Sequence, residues 1–322
     1  NRNRYPIVDM EYNKETGVLS KINYLDKAGR AIIRHVISER NGISATVADF
    51  ISSREELGSG FIESNVASMQ INKMPGSDPK SSIVRYVYER DTNGFIIKKT
   101  FHSNNDRQLE RSAVSDISGI YGMKYTNDAL GRPVRIEYID RDGNRTVSKK
   151  GIAAKTYEYD DYGNLSRITY YDSTDSYILN DELWAICEYA SDENGNVREF
   201  HFLGTDGMPC INKEGFCFGS IGHNDAGQTL SNKVYGTDHE PCYQEDGFHG
   251  VAYKYDKKGR LVENRFVGTD GKPCIGANGF SIVRVKYDNS NNVVEFRYSD
   301  TEDKLCVTKL GYSIMERNYD SE

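Results

Sequence analysis

Residues 254–274 read KYDKKGRLVENRFVGTDGKPC, and the Asp-x-x-Gly turn inside them, Asp256 to Gly259, returns along the chain at a fixed step of 32 residues. One column of the repeat is a glycine or its replacement: Gly131, Gly163, Gly195, Gly227, Gly259 and Asn291. Three residues before each stands an acid or its amide: Asp128, Asp160, Asp192, Asn224, Asp256 and Asp288. A fixed period of this length indicates a repeat array, in which each unit contacts mainly its neighbours.

Two more columns keep the same step. One holds the cysteines Cys210, Cys242, Cys274 and Cys306. The other holds a glycine near the repeat boundary, at Gly119, Gly151, Gly215, Gly247, Gly279 and Gly311, with Leu183 in the remaining place. Because the spacing between equivalent residues is constant in all of these columns, the units are predicted to share one length and one fold.

Within one unit, residues 279–311, apolar and charged residues alternate twice, from Val283 to Tyr287 and from Val294 to Tyr298. This alternation is typical of half-buried strands. One column of the second strand is apolar in every repeat and is predicted to face the core: Tyr138, Tyr170, Phe202, Val234, Phe266 and Tyr298. The column at Glu295 is predicted to face water: Arg135, Arg167, Glu199, Ser231 and Glu263.

The sequence therefore predicts an all-β fold, an elongated array of antiparallel β-hairpin repeats, because each unit has no room for a helix beside two strands and two turns. The alternative is a parallel β-helix with one coil per repeat. In the hairpin turn, the Asp side chain can accept a hydrogen bond from the backbone two residues on, and Gly at the fourth position supplies positive φ. Positive φ is predicted for Gly163, Gly195, Gly259 and Asn291.

The pattern divides the chain into three parts. Residues 1–37 are predicted to be a divergent amino-terminal repeat. Residues 38–82 break the pattern and are predicted to be a non-repeat insertion, in which ATVADFISSREELGSGF (45–61) could hold a short helix. Residues 83–322 are predicted to be tandem hairpin repeats that are capped at the carboxyl end or continue in a longer protein.

The repeats share a core motif, Tyr-Asp-x-x-Gly-Arg/Asn-Leu, which is followed by an alternating strand. The motif is complete at Tyr159–Leu165 and at Tyr255–Leu261. This core resembles the YD or RHS-type β-hairpin repeats of bacterial surface and secreted proteins, here with a longer step. The resemblance covers residues 84–322 and 10–30. It implies a bacterial array without catalysis of its own, in relatives that form shells, stalks or adhesive surfaces.

Charge and motifs argue against several classes of function. The formal net charge is −7 with no Lys/Arg-rich face, so no nucleic-acid partner is expected. No apolar run approaches the length of a membrane span. Nucleophile, phosphate-loop and metalloprotease motifs do not occur, so the chain is predicted not to be an enzyme and to need no cofactor or metal. The alternative is an enzyme or accessory domain with its site in the 38–82 insertion, near Asp49, Glu55 and Glu56.

The cysteine column allows three interpretations. Thr146 and Ile178 occupy the same column in preceding units, which favours buried free thiols. Hairpin repeats place equivalent positions roughly 9.6 Å apart, beyond the about 7 Å that a disulfide spans. A disulfide through Cys187 or Cys217, or a metal site, stays open. The run Asp140–Gly143 is similar to the start of a calcium loop, but turn formation explains it without an ion.

Aromatic residues are the candidate ligand contacts, because rings on a sheet can stack on sugars or dock a protein chain. Most apolar columns are predicted to be core, whereas Tyr171, Tyr235 and Tyr243 occupy mixed positions and are predicted to be exposed. The predicted function is a non-catalytic repeat module for binding or scaffolding, with a protein or glycan partner, within a longer bacterial surface or secreted protein. A shell or stalk segment of a larger toxin-like protein is the remaining alternative.

Overall fold

The computed structural model describes the strands at residues 7–12, 19–25, 31–40 and 43–50, and residues 85–102, 108, 110 and 117–318. All regular structure in these ranges is β-strand. The strands are β1 (Ile7–Tyr12), β2 (Leu19–Leu25), β3 (Ala31–Arg40), β4 (Ile43–Phe50), β5 (Arg85–Arg90), β6 (Ile96–His102), β7 (Gly122–Asn127), β8 (Pro133–Ile139), β9 (Ala154–Tyr159), β10 (Leu165–Tyr171), β11 (Ile186–Ser191), β12 (Val197–Leu203), β13 (Phe218–His223), β14 (Thr229–Tyr235), β15 (Gly250–Tyr255), β16 (Leu261–Val267), β17 (Ile282–Tyr287), β18 (Val293–Ser299) and β19 (Ile314–Glu316).

The chain divides into two units. The first unit is Asn1–Glu158 with Ile168–Asp181, and the second unit is Tyr159–Arg167 with Glu182–Glu322. In the first unit, β1 to β9 pair in chain order, each antiparallel to the next. In the second unit, β11 to β19 pair in the same way.

Antiparallel pairing holds both inside a repeat and between repeats. Val251 lies opposite Phe266 inside one hairpin, and Asn264 lies opposite Val283 where that hairpin meets the next. The prediction of an all-β array of antiparallel hairpins is therefore confirmed. The alternative of a parallel β-helix is wrong for the described strands, because it requires parallel ladders between successive coils.

Each full repeat contains three turns with one geometry. In the first turn, Asp256 donates its N–H to Arg260 O at 2.9 Å, Gly259 donates to Asp256 O at 2.9 Å, and Gly259 has a φ of 76°. The second turn, Gly268–Gly271, and the third turn, Gly276–Gly279, repeat both hydrogen bonds. A turn followed by one left-handed residue is a three-residue hairpin connection with a bulge, which is why the register shifts between Lys254 and Tyr255.

The positive-φ residues of the described chain all stand at the fourth position of one of these turns. The predicted ones are confirmed, with φ of 88° at Gly163, 81° at Gly195, 76° at Gly259 and 65° at Asn291. Non-glycine residues with positive φ are Asp175, Leu183, His239, Asn291 and Asp303. Leu183 is the exception in the boundary glycine column, yet it has the same left-handed conformation as the glycines. The backbone conformation at this position is therefore the same in every repeat, whichever residue occupies it.

Side chains of the first turn complete it. Asp256 Oδ1 accepts the N–H of Lys258 at 2.8 Å, as predicted, and that of Arg260 at 3.0 Å. Asp256 Oδ2 accepts a hydrogen bond from Arg260 Nε at 2.7 Å. These hydrogen bonds, with the backbone N–H of Arg260 first among the causes, hold the pKa of the Asp256 carboxyl below its usual value. The tyrosine before the acid also has a role: Tyr287 Oη donates to Leu261 O of the preceding repeat at 2.8 Å.

The third turns are linked to one another by backbone hydrogen bonds. In the second unit, Glu245 N–H donates to Glu214 O at 2.7 Å, Ala277 N–H to Asp246 O at 2.6 Å, and Lys309 N–H to Asn278 O at 2.9 Å. Each third turn thus bonds to the turn one repeat earlier. Neighbouring repeats of this unit are therefore joined twice, once through the strands and once through these turns.

Aromatic rings form the core of the second unit. Trp184 stacks on Phe202 with ring centroids 5.4 Å apart, and Phe202 lies 5.8 Å from Phe216. Further along, Phe248 stacks on Phe266 at 4.2 Å. The second-strand column predicted to be core is buried at Tyr138, Tyr170, Phe202 and Val234 and half-buried at Phe266 and Tyr298.

The column predicted to face water contains one exception. Glu263 is buried, with 8% of its side chain exposed, and it pairs with Lys254 Nζ at 2.8 Å, Arg284 Nε at 2.9 Å and Arg265 Nη2 at 3.3 Å. The prediction of water exposure is wrong here, because Arg265 of the same strand and Lys254 and Arg284 of the two neighbouring strands converge on this carboxylate and offset the cost of its burial.

The predicted insertion at 38–82 is described only in part. Its first residues continue strand β3, and 43–50 form strand β4 opposite β5. The part of the helix prediction that covers 45–50 is therefore wrong. Residues 51–82, including Glu55 and Glu56, lie outside the described residues, and the three-part domain division stays a prediction.

Candidate functional site

Two of the three candidate tyrosines have rings that contact other side chains of the protein. In the first unit, Tyr171 lies 5.7 Å from Tyr177, and the guanidinium of Arg135 lies 5.5 Å from the centre of its ring. In the second unit, Tyr235 lies 5.0 Å from Phe218 and 5.1 Å from His249. Both tyrosines are half-buried, so their ring faces are taken up by packing within the fold.

Tyr243 has a different environment. It is 52% exposed and lies in the short extended segment between the second and third turns of its repeat. In this segment the side chains alternate, with Pro241 and Tyr243 exposed and Cys242 and Gln244 more buried. The segment is fixed to the sheet by an antiparallel bridge between Tyr235 and Pro241.

The same two exposed positions are apolar in every repeat of the second unit. We call this surface the exposed strip: Pro209, Ile211, Pro241, Tyr243, Pro273, Ile275, Leu305 and Val307. Exposure is 44% at Ile211, 45% at Ile275 and 63% at Val307. Exposed apolar side chains therefore recur at a fixed step along the second unit.

Turn acids lie beside the exposed strip. A Cβ atom placed on Gly268 would lie 2.9 Å from Tyr243 Oη and 3.2 Å from Asp270 Oδ1, so both polar atoms lie on one side of that turn. Asp206, Asp238, Asp270 and Glu302 occupy one position of the second turn in successive repeats, and all four are exposed. An apolar strip bordered by carboxylates suits an occupant with both apolar and basic groups.

Sequence reasoning selected Tyr243 and missed the rest of this surface. The sequence pattern that predicts this surface lies on both sides of the cysteine column. Each cysteine is preceded by Pro or Leu and followed by Ile, Tyr or Val. Burial of the cysteine column was predicted, but the prediction did not extend to its consequence, namely that strand alternation places both neighbours of each cysteine on the opposite, exposed face.

The six cysteines are free thiols, each facing a backbone carbonyl. In the repeat column, Cys306 Sγ lies 3.6 Å from Gly279 O and Cys210 Sγ lies 3.7 Å from Leu183 O. Burial raises the pKa of Cys187 to about 12 and that of Cys210 to about 11. Such thiols stay protonated at neutral pH and are poor nucleophiles.

The turn carboxylates are occupied within the fold. Asp140 Oδ1 accepts the N–H of Asn144 at 2.9 Å in the run that is similar to a calcium loop. Across the described residues, no group of three or more His, Cys, Asp or Glu side chains is arranged to hold a metal ion. None of the described residues belongs to a helix that could span a bilayer.

No protein-family model and no curated protein matches the chain. Among solved structures, it is similar to TcdB2-TccC3, at 12% identity and a TM-score of 0.17, over 91% of this chain and 18% of that one. It is also similar to a Photorhabdus luminescens Tc holotoxin pore, at 14% identity and a TM-score of 0.15, over 87% of this chain and 18% of that one. The chain spans about a fifth of the length of either, and the similarity is slight.

Proposed function

We propose that the chain is a non-catalytic repeat module that holds a protein partner along the exposed strip of its second unit. The observation that carries the proposal is the strip itself, in which two apolar side chains per repeat are exposed at a fixed step over four repeats. Contiguous exposed apolar surface is unusual on a soluble domain unless a partner covers it.

The strip is also held rigidly, which favours binding. In one segment, Cys274 N–H donates to Phe266 O at 3.2 Å, and the third turn that follows is bonded to its neighbour through Ala277. Rigid contact residues lose little conformational entropy when a partner docks. This arrangement supports a scaffold that presents a preformed surface.

A protein partner is favoured over a glycan. Sugar binding by aromatic residues uses the open face of a ring, and the faces of Tyr171 and Tyr235 are directed at neighbouring side chains. The absence of catalysis belongs to the proposal too, supported by protonated thiols and by carboxylates engaged in turns. From the resemblance to YD or RHS-type repeats, we propose that the chain is part of a longer bacterial surface or secreted protein.

Selection of random peptides on the intact protein tests the proposed function. We expect the selected peptides to bind the Tyr243→Ser, Ile275→Ser double variant about tenfold or more weakly than the unchanged protein, because apolar anchors at the centre of an interface supply most of its affinity. The matched control is Leu130→Ser with Tyr162→Ser, which removes exposed apolar residues at first turns, 73% and 83% exposed, and should leave binding unchanged. Peptides that bind both double variants equally well would contradict the proposal.

A further inference from the structure

The occupant of the exposed strip can be specified further, on the basis of the proposed function. We infer that it is an extended, basic segment of a partner protein, with an arginine or lysine placed at Tyr243 and an apolar residue at every third position. Three properties of the second unit lead to this inference: the charge around Tyr243, the polar atoms next to its ring, and the spacing of the repeats.

The charge around Tyr243 is strongly negative. Residues 236–248, which run from the second turn through the third turn of that repeat, contain four acids and no Lys or Arg: Asp238, Glu240, Glu245 and Asp246. All four are exposed, and none of them forms an ion pair with another described residue. Since the whole chain has a net charge of only −7, this segment is a local concentration of negative charge. A basic partner would be attracted to it.

The ring of Tyr243 adds a second attraction for a cation. Half of the side chain is exposed, and its Oη lies near Asp270 Oδ1 beside Gly268. Asp270 is itself exposed; its Oδ1 accepts the backbone N–H of Lys272 at 2.9 Å, and its Oδ2 lies 4.0 Å from the Lys272 ammonium. A guanidinium can stack on an aromatic ring and pair with a carboxylate at once. The position next to Tyr243 therefore favours arginine in the partner.

The repeat spacing selects the conformation of the segment. Equivalent residues of successive hairpins lie two strands apart, roughly 9.6 Å. A polyproline II segment brings every third residue back to the same side after about 9.3 Å. An α-helix does so after seven residues and about 10.5 Å, so it would drift by about 3 Å over the four strip positions. In a β-strand, side chains return to the same side every two residues, after about 6.6 Å, which does not match the spacing of the repeats.

Fluorescence polarisation with designed peptides tests the inference on the intact protein. The probe is a labelled peptide of four Leu-Pro-Arg triplets, compared with four Leu-Pro-Glu triplets and with a peptide of the first composition in which the leucines are grouped at one end. We expect the ordered basic peptide to bind about tenfold or more tightly than the other two, and to weaken about tenfold between roughly 0.05 M and 0.5 M salt.

Two variants separate the contributions. Asp238→Asn, Glu240→Gln, Glu245→Gln and Asp246→Asn together should weaken the basic peptide about tenfold, and Tyr243→Ser with Ile275→Ser should do the same. Equal binding of the basic and acidic peptides, or full binding to the neutralised variant, would overturn the basic partner while leaving the proposed function intact. Equal binding of the grouped-leucine peptide would overturn the three-residue spacing. If selected random peptides also bind independently of the exposed strip, the proposed function itself fails.

Discussion

Replacing Phe202 with alanine should lower the free energy of unfolding by about 3 kcal/mol or more. Phe202 is 8% exposed, and its ring contacts three others: Trp184 at 5.4 Å, Phe200 at 5.3 Å and Phe216 at 5.8 Å. The neighbouring rings are held in place by the β-hairpins, so they cannot move into the cavity that alanine would leave. Most of the packing contacts of Phe202 would therefore not be replaced.

Thermal melting followed by the emission of Trp184 measures this effect, because Trp184 is the sole tryptophan of the chain. The emission should shift to longer wavelength at temperatures where the variant is still folded, since the indole loses its stacking partner. Phe202→Val should cost less than half as much, because Val234 fills the same column one repeat later. Tyr162→Ala is the surface control. An alanine variant that melts and emits like the unchanged protein would show that these rings do not form the core.

Replacing Glu263 with alanine should have the second-largest effect, a loss of about 2–3 kcal/mol. The substitution leaves three cations, Lys254, Arg265 and Arg284, without the carboxylate that they share. The cations are themselves partly exposed, so the loss should lie below that of a fully buried charge. Glu295→Ala is the matched control, at the equivalent position one repeat later. Glu295 pairs with Arg297 at 2.6 Å and lies opposite Lys286, and the control should change stability by about 1 kcal/mol or less.

The effect of Glu263 should depend on pH. Burial alone would raise the pKa of Glu263, but the hydrogen bond and charge of Lys254, with the charges of Arg284 and Arg265, lower it below its usual 4.5. A carboxyl with a lowered pKa stabilises the fold fully above its unfolded pKa, and this contribution disappears as pH falls through the folded pKa. The difference in melting temperature between Glu263→Ala and the unchanged protein should therefore be constant near neutral pH and shrink on acidification below about 4.5. A difference independent of pH would contradict the ionic role.

Much of the fold could be predicted from the sequence because the hairpin is a local structure. The Asp256–Gly259 turn is specified by its own residues, and the strands beside it by alternation, so no distant contact has to be known. Leu183 could not be predicted in the same way. Its residue type argues against positive φ, and the turn that it closes is joined to the third turn of the next repeat by the hydrogen bond from Lys213 N–H to Glu182 O.

The parts that were missed depend on which strands lie next to each other. Glu263 is buried because Arg284 of the next hairpin reaches it, and the bond from Ala277 to Asp246 joins turns of different repeats. The candidate site follows the same division. Tyr243 was predicted to be exposed from its mixed column, whereas the strip as a whole required knowing that the segment around Cys274 is extended, so that Pro273 and Ile275 face away from the cysteine.

Thermal melts of Gly259→Val, Gly259→Asn and Asn291→Gly test most directly the claim that left-handed turn residues fix the repeat. A Cβ at Gly259 would meet only the flexible end of Gln228, at 3.1 Å, so the cost of a substitution there comes from the φ of 76°. Valine should cost about 1–2 kcal/mol or more, because a β-branched residue is strongly disfavoured at positive φ. Asparagine should cost little, and Asn291→Gly should be neutral or slightly stabilising. Equal melting temperatures for valine and asparagine at position 259 would contradict the claim.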